Sequence, residues 1–178
     1  MIKLKGLLLT EGMHGMISQV EGLAKALDLD FIHEKIELNN FWKLFPPKIT
    51  PVQDFVFKNK INSPFEVVIS CGRKSVIPSI YLKKKFKNKI INIHPALLPK
   101  YGGKGMYGKH VHQAVKDSGD SHTGITIHYV NENYDEGGII FQAQVGIDSN
   151  DDPDSIAQKI HKLEHKHFPE VINQILNK

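Results

Sequence analysis

The chain has one cysteine, one tryptophan and no long apolar run, and each scarcity excludes something. A lone Cys71 leaves no internal disulfide and fits a reducing compartment. The apolar runs, such as residues 6–9 and 67–69, are strand-sized and too short for a membrane-spanning helix. The first residues lack the apolar core and small-residue cleavage site of a signal peptide. A cytoplasmic protein with no membrane partner is expected. Repeats, linkers and low-complexity tracts are absent as well. Charge of one sign is in small excess, with 23 Lys and Arg against 19 Asp and Glu, for a net +4. The basic run Lys83, Lys84, Lys85, Lys87 and Lys89 is interrupted by Phe86 and has no RNA-binding motif beside it. It reads as a solvated helix end suited to the helix dipole, not as a nucleic-acid surface.

Several reaction signatures are also missing. No nucleophile elbow supports Ser–His–Asp hydrolysis. His110 and His112, and His161, His165 and His167, lie close in sequence, but no Cys or acidic partner gives a zinc pattern, so no metal is expected. The early glycines Gly12 and Gly15 are spaced G-x-x-G, a weak phosphate-loop signal.

What is present is an ordinary globular composition, 40% hydrophobic and 24% charged over 178 residues, read as a single domain over 1–178. Residues 2–10 read as a first, central strand. A glycine turn and a helix follow, with Ile17, Val20, Leu23, Ala24 and Leu27 at helical spacing. Residues 31–38 form a second strand candidate, 39–51 an irregular proline-bearing stretch, 52–61 a short helix candidate and 65–70 a third strand. A helix over 76–86 and a strand over 89–94 come next. The second half offers a helix over 110–116, an alternating strand over 123–130, a strand over 139–147 and a last helix over 155–176. Pro169 should kink or interrupt that helix. Strands alternating with helices in the first half argue an α/β fold, Rossmann-like, with a mostly parallel central sheet and helices on both faces.

The most informative stretch is residues 90–103. A β-branched run ends in Asn92 and His94, which strand alternation points to one face, and Pro95 then stops the ladder. An amide and an imidazole at the carboxyl end of a strand stand where open sheets bind ligands. On spacing alone, an Asn–His pair that merely caps a loop is as good an account. Asp135 follows in the loop Asn131-Glu132-Asn133-Tyr134-Asp135-Glu136-Gly137-Gly138, past the strand that holds His128. By itself Asp135 reads as an Asx-turn residue. Beside a histidine, a carboxylate fixes the ring and favours its charged form. Amide, imidazole and carboxylate together suit acyl transfer to an amine, two groups steadying an oxyanion and the third handling protons.

Asn92-Ile93-His94-Pro95-Ala96-Leu97-Leu98-Pro99-Lys100-Tyr101-Gly102-Gly103, then Gly124-Ile125-Thr126-Ile127-His128-Tyr129-Val130, then Asp135-Glu136-Gly137-Gly138, resembles the folate-dependent formyltransferase family, over roughly residues 71–172. Within it the likeness is nearest to members that formylate glycinamide ribonucleotide in purine biosynthesis. The resemblance implies transfer of a formyl group from 10-formyltetrahydrofolate to a primary amine, with Asn92, His94 and Asp135 as the catalytic trio. It implies that the folate lies against Arg73, Val76 and Ile77 and against Val130, Asn131 and Tyr134. The acceptor would meet Gly12, His14 and Gly15, with His161 and Glu164 near its ribose. Its partners would be these small molecules, with no nucleic acid or membrane, on a monomer or homodimer.

The first third departs from the family. Members open with a glycine-serine-asparagine loop for the substrate phosphate, where this chain has Thr10-Glu11-Gly12-Met13-His14-Gly15-Met16. Glu11 sets a negative charge where a dianion should approach. Residues 7–26 and 70–75 also resemble mitochondrial-fission-type proteins with a T-D-G-x-x-G opening, which suggests a divergent or hybrid first third. Two alternatives follow: a formyltransferase with another acceptor, such as an amino sugar nucleotide, and a non-catalytic formyltransferase-like binding domain. A binding domain has no need of all three residues. Formylation of initiator methionyl-tRNA is expected less, since those proteins usually carry a further carboxyl-terminal domain.

Overall fold

The computed structural model describes residues 3–10, 14–35, 37–45, 49–51, 53–58, 65–71, 81, 90–131, 133 and 135–177. The chain divides into two compact units, Met1–Asn88 and Lys89–Lys178.

In the first unit the central strand is β1 (Lys5–Thr10), flanked by β2 (Asp30–Glu34) and β3 (Val67–Cys71) in the order β2-β1-β3. Both ladders are parallel, as the strand–helix alternation predicts. The crossover from β1 to β2 is made by α1 (His14–Ala26). Alternation along β1 sends Leu7 and Leu9 to one face and Leu8 to the other, and all three are buried. Leu7 and Leu9 share a core with Val56, Phe57 and Tyr81, against which Leu38, Trp42, Phe65 and Val68 pack.

Residues 52–61, expected to be helical, hold only a short 3-10 turn at Asp54–Val56 among the described residues. Backbone pairing with residues 37–39 takes the place of helical bonds: Leu38 bridges Phe57, Asn39 N donates to Val56 O at 2.8 Å, and Lys58 N donates to Glu37 O at 2.9 Å. The expected irregular stretch 39–51 contains a second 3-10 turn, Trp42–Leu44. Of the helix expected over 76–86, Tyr81 alone is described, and it is helical.

In the second unit β4 (Ile91–His94), β5 (His122–Tyr129) and β6 (Ile139–Gly146) form an antiparallel sheet in that order. Helices α2 (Lys109–Asp117) and α3 (Pro153–Leu176) complete it. One sheet face and the helices make a core of Val115, Ile125, Ile156 and Ile160, ringed by Ile93, Phe141, Ala143 and Leu163. Each fully buried aliphatic side chain of this kind contributes about 1.5–3 kcal/mol. The opposite face of β4 and β5 carries Asn92 opposite His128, and His94 opposite Thr126.

α3 starts on a reciprocal cap. Ser155 N donates to the Asp152 carboxylate at 2.7 Å, and Asp152 N donates to Ser155 Oγ at 2.9 Å. Of the kink or interruption expected at Pro169, the interruption does not occur, since the helix runs through it. Proline removes one backbone bond, to the carbonyl of His165, and His165 is exposed, so water is available to that carbonyl. No helix among the described residues is long and apolar enough to cross a membrane.

Candidate active site

Register places the first pair. Because Ile91 pairs with Tyr129 and His94 with Thr126 in an antiparallel ladder, Asn92 and His128 become direct cross-strand neighbours. His128 stands at an irregularity in the β5–β6 register, where Ile127 pairs with Phe141 and His128 with Ile139, leaving Ile140 as the extra residue. Bulges of this kind re-aim side chains beside functional sites.

His128 is buried, with Nδ1 donating to the Tyr129 carbonyl at 3.0 Å. A carbonyl only accepts, so Nδ1 carries a proton, and in the neutral ring Nε2 is left as the acceptor. The Asn92 amide meets that Nε2 at 3.3 Å through Nδ2. Asn92 itself is exposed, so the amide is backed by the protein and open in front.

His94 is buried and held on both sides. Its Nε2 donates to the Tyr101 carbonyl at 2.9 Å, and its Nδ1 faces Asp135 Oδ2 at 3.6 Å. The other oxygen of Asp135 stands 3.8 Å from His128 Nε2. Oδ2 also accepts from Gly103 N at 2.9 Å. One carboxylate therefore spans two imidazoles and a backbone amide.

Two loops bring these groups together. Residues 95–103 leave β4 and are pinned by Thr126, whose buried hydroxyl donates to Ala96 O at 2.7 Å and accepts from Leu98 N at 3.0 Å and Gln142 Nε2 at 2.9 Å. The Leu98–Pro99 peptide is cis. Tyr101 adopts a left-handed backbone, φ 61°, which aims its carbonyl at His94. Its hydroxyl donates to Asp120 at 2.6 Å, and Lys100 Nζ reaches the same carboxylate at 2.6 Å. The ammonium and then the phenol hold the Asp120 carboxyl below the usual carboxylate range. The second loop carries Asp135, itself at φ 59°. It returns to β5 through Gly137, where a Cβ would lie 1.5 Å from the Tyr129 carbonyl oxygen, so glycine alone permits the approach.

Asn92, His94 and Asp135, expected together, are together. Val130 and Asn131 follow β5 directly and open the Asp135 loop, with Asn131 Oδ1 accepting from Asn133 N at 3.0 Å. His161 Nδ1 and Glu164 Oε2 pair with each other at 2.9 Å on α3. His14 and Gly15 form the first turn of α1, in the other unit. Glu11, Gly12, Arg73, Val76, Ile77 and Tyr134, and the basic run 83–89, lie outside the described residues. Sequence reading passed over His128, Thr126, Tyr101 and Gly103 as site residues. The one available signal was the alternating strand over 123–130, whose period of two sets Gly124, Thr126 and His128 on a common face.

Among the described residues no three His, Cys, Asp or Glu side chains gather as metal ligands. His112 is buried with Nδ1 unpartnered, and burial pushes its imidazole down, with His161 adding to that.

Residues 24–172 match the formyl transferase family. The chain belongs to that family. Among curated relatives, it is similar to the chloroplastic phosphoribosylglycinamide formyltransferase of Arabidopsis thaliana, 46% identical over 110 residues. That match covers 62% of this chain and 37% of the relative. The phosphoribosylglycinamide formyltransferase of Bacillus subtilis is 46% identical over 111 residues, 62% of this chain and 54% of the relative. The chain thus spans about half or less of the length of these relatives. Among solved structures, phosphoribosylglycinamide formyltransferase from Anaplasma phagocytophilum matches with a TM-score of 0.64 at 23% identity, covering 99% of this chain and 88% of that one. The fold of this formyl transferase family member is therefore the α/β formyltransferase fold.

Proposed function

We propose that the chain transfers a formyl group from 10-formyltetrahydrofolate to the primary amine of glycinamide ribonucleotide, a step of purine biosynthesis. The observation that supports this most is the meeting of Asn92 and His94, on one sheet face, with the loop carboxylate of Asp135, in a member of the formyl transferase family. The reading treats residues 1–178 as one working domain, supported by a family match that runs across the boundary between the two units.

In this reading the amine lone pair attacks the formyl carbon and the carbonyl oxygen gains charge. The exposed Asn92 amide and His94 steady that oxygen. The proton released by the attacking nitrogen passes to Asp135, through water, and returns to the folate nitrogen as the carbon–nitrogen bond to the folate breaks. A formylated amine and tetrahydrofolate leave. Arg73, Val76, Ile77, Val130, Asn131 and Tyr134 are assigned to the folate, and Gly12, His14, Gly15, His161 and Glu164 to the acceptor. No metal is needed, because the donors and acceptors for both charge and proton are side chains.

The test is formyl transfer to glycinamide ribonucleotide, followed by absorbance of the deformylated folate product, with Asp135→Asn as control. Turnover that the substitution abolishes supports donor and acceptor alike. Folate binding without transfer keeps the donor and moves the acceptor elsewhere, to which the Glu11 loop would then point. Absence of folate binding sinks the reading.

A further inference from the structure

The geometry points to His128 as a positioning residue that sets which way the Asn92 amide faces. This rests on the proposed formyl transfer for its kinetic consequence, although the geometry stands by itself. An asparagine amide has a donor end and an acceptor end, and nothing in its shape chooses between them. The choice is made two hydrogen bonds away. The Tyr129 carbonyl can only accept, so His128 Nδ1, at 3.0 Å, carries the proton. In the neutral ring Nε2 is then an acceptor, and it stands 3.3 Å from Asn92, which offers it the NH2 group. One N–H is spent on the imidazole, and the second is left to point from the exposed side chain toward a reacting oxygen. With the amide turned over, Asn92 would present an oxygen lone pair to a developing oxyanion, and stabilisation would become repulsion.

His128 is suited to the task because it is nearly inaccessible, 2% exposed, and is fixed by the strand register and the bulge beneath it. Asp135 Oδ1, 3.8 Å from the same Nε2, is too far for a hydrogen bond and leaves that lone pair to Asn92. His128 touches no reacting atom in this scheme. It acts through Asn92.

The tautomer is read first, by 15N NMR of histidine-labelled full-length protein without substrate. A pyrrole-type Nδ1 and a pyridine-type Nε2 are expected for His128, and a protonated Nε2, in the other tautomer or in a doubly protonated ring, overturns the inference. Kinetics follow on His128→Leu, which removes the acceptor, and His128→Gln, whose carbonyl oxygen can replace Nε2. The leucine variant should lose about 10- to 100-fold in kcat, the range expected when a catalytic group is left misplaced. Its KM values should move about two- to threefold at most, and the glutamine variant should recover most of the lost kcat. Unchanged kcat in His128→Leu, or no rescue by His128→Gln, overturns the positioning role. Should the leucine variant fail to fold, the tautomer and the glutamine variant, compared with Asn92→Ala, still decide it. A wild-type protein with no transfer to glycinamide ribonucleotide would defeat the proposed function, while the NMR result would separately decide the His128–Asn92 relationship.

Discussion

His94 and Asp135, 41 positions apart in sequence, face each other with Nδ1 3.6 Å from Oδ2, and each is anchored by main-chain atoms of one loop. Tyr101 gives its carbonyl to His94, and Gly103 gives its amide to Asp135. The loop that follows β4 therefore sets the spacing between imidazole and carboxylate.

Asp135→Asn should fold nearly as the parent does, because an amide oxygen can still accept from Gly103 N. Turnover should fall by about two to four orders of magnitude with the loss of the group proposed to handle protons. Steady-state kinetics and a thermal melt on the same samples check both halves. Full activity in this variant would mean that proton handling lies elsewhere.

Thr126→Val keeps the shape and removes one hydroxyl. Leu98 N and Ala96 O would each lose a partner in a fully buried place, and Gln142 would lose one of two. A loss of about 1–3 kcal/mol is expected in denaturant unfolding. Turnover should drop too, since the loop that orients His94 is then less firmly pinned. An unchanged midpoint with unchanged kcat would show that the loop holds its place without Thr126.

Gly137→Ala forces a methyl group toward the Tyr129 carbonyl oxygen. Either the loop or β5 must move, at a cost of about 1–3 kcal/mol, and Asp135 moves with the loop. Activity should fall further than stability does. Retention of parental kcat would mean that the Asp135 loop can shift without moving its carboxylate.

Acid should weaken the start of α3. Lys159, with the Asp148 backbone amide, holds the Asp151 carboxyl down from the ordinary 3.8 to about 2. The folded state binds that proton less readily than the unfolded chain, so the contribution is complete above 3.8 and disappears as pH falls toward 2. Unfolding midpoints measured from neutral pH down to that range should decline more steeply in the parent than in Lys159→Met. Parallel curves would remove Lys159 from the account.

The sequence made Asn92 and His94 legible because strand alternation is a strict period and Pro95 marks where it ends. The parallel sheet of the first unit was legible from its strands alternating with helices. Asp135 was not legible by spacing, since its approach to His94 depends on Gly137 touching Tyr129 and on two left-handed residues. Resemblance alone pointed to it. His128 lay on the right face in the alternation, yet its partnership with Asn92 depends on the antiparallel register of β4 and β5, which no local pattern encodes. The helix expected over 52–61 yielded to long-range pairing with Leu38, and Pro169 was absorbed by a helix with buried residues on both sides of it.

Every polar contact described here among the side chains of Asn92, His94, His128 and Asp135, and from them to the backbone, closes within residues 92–135, inside one compact unit. A block of that kind can be inherited whole. Its carboxylate, imidazoles and amide owe none of these contacts to residues 1–88, so change upstream can leave their mutual geometry intact.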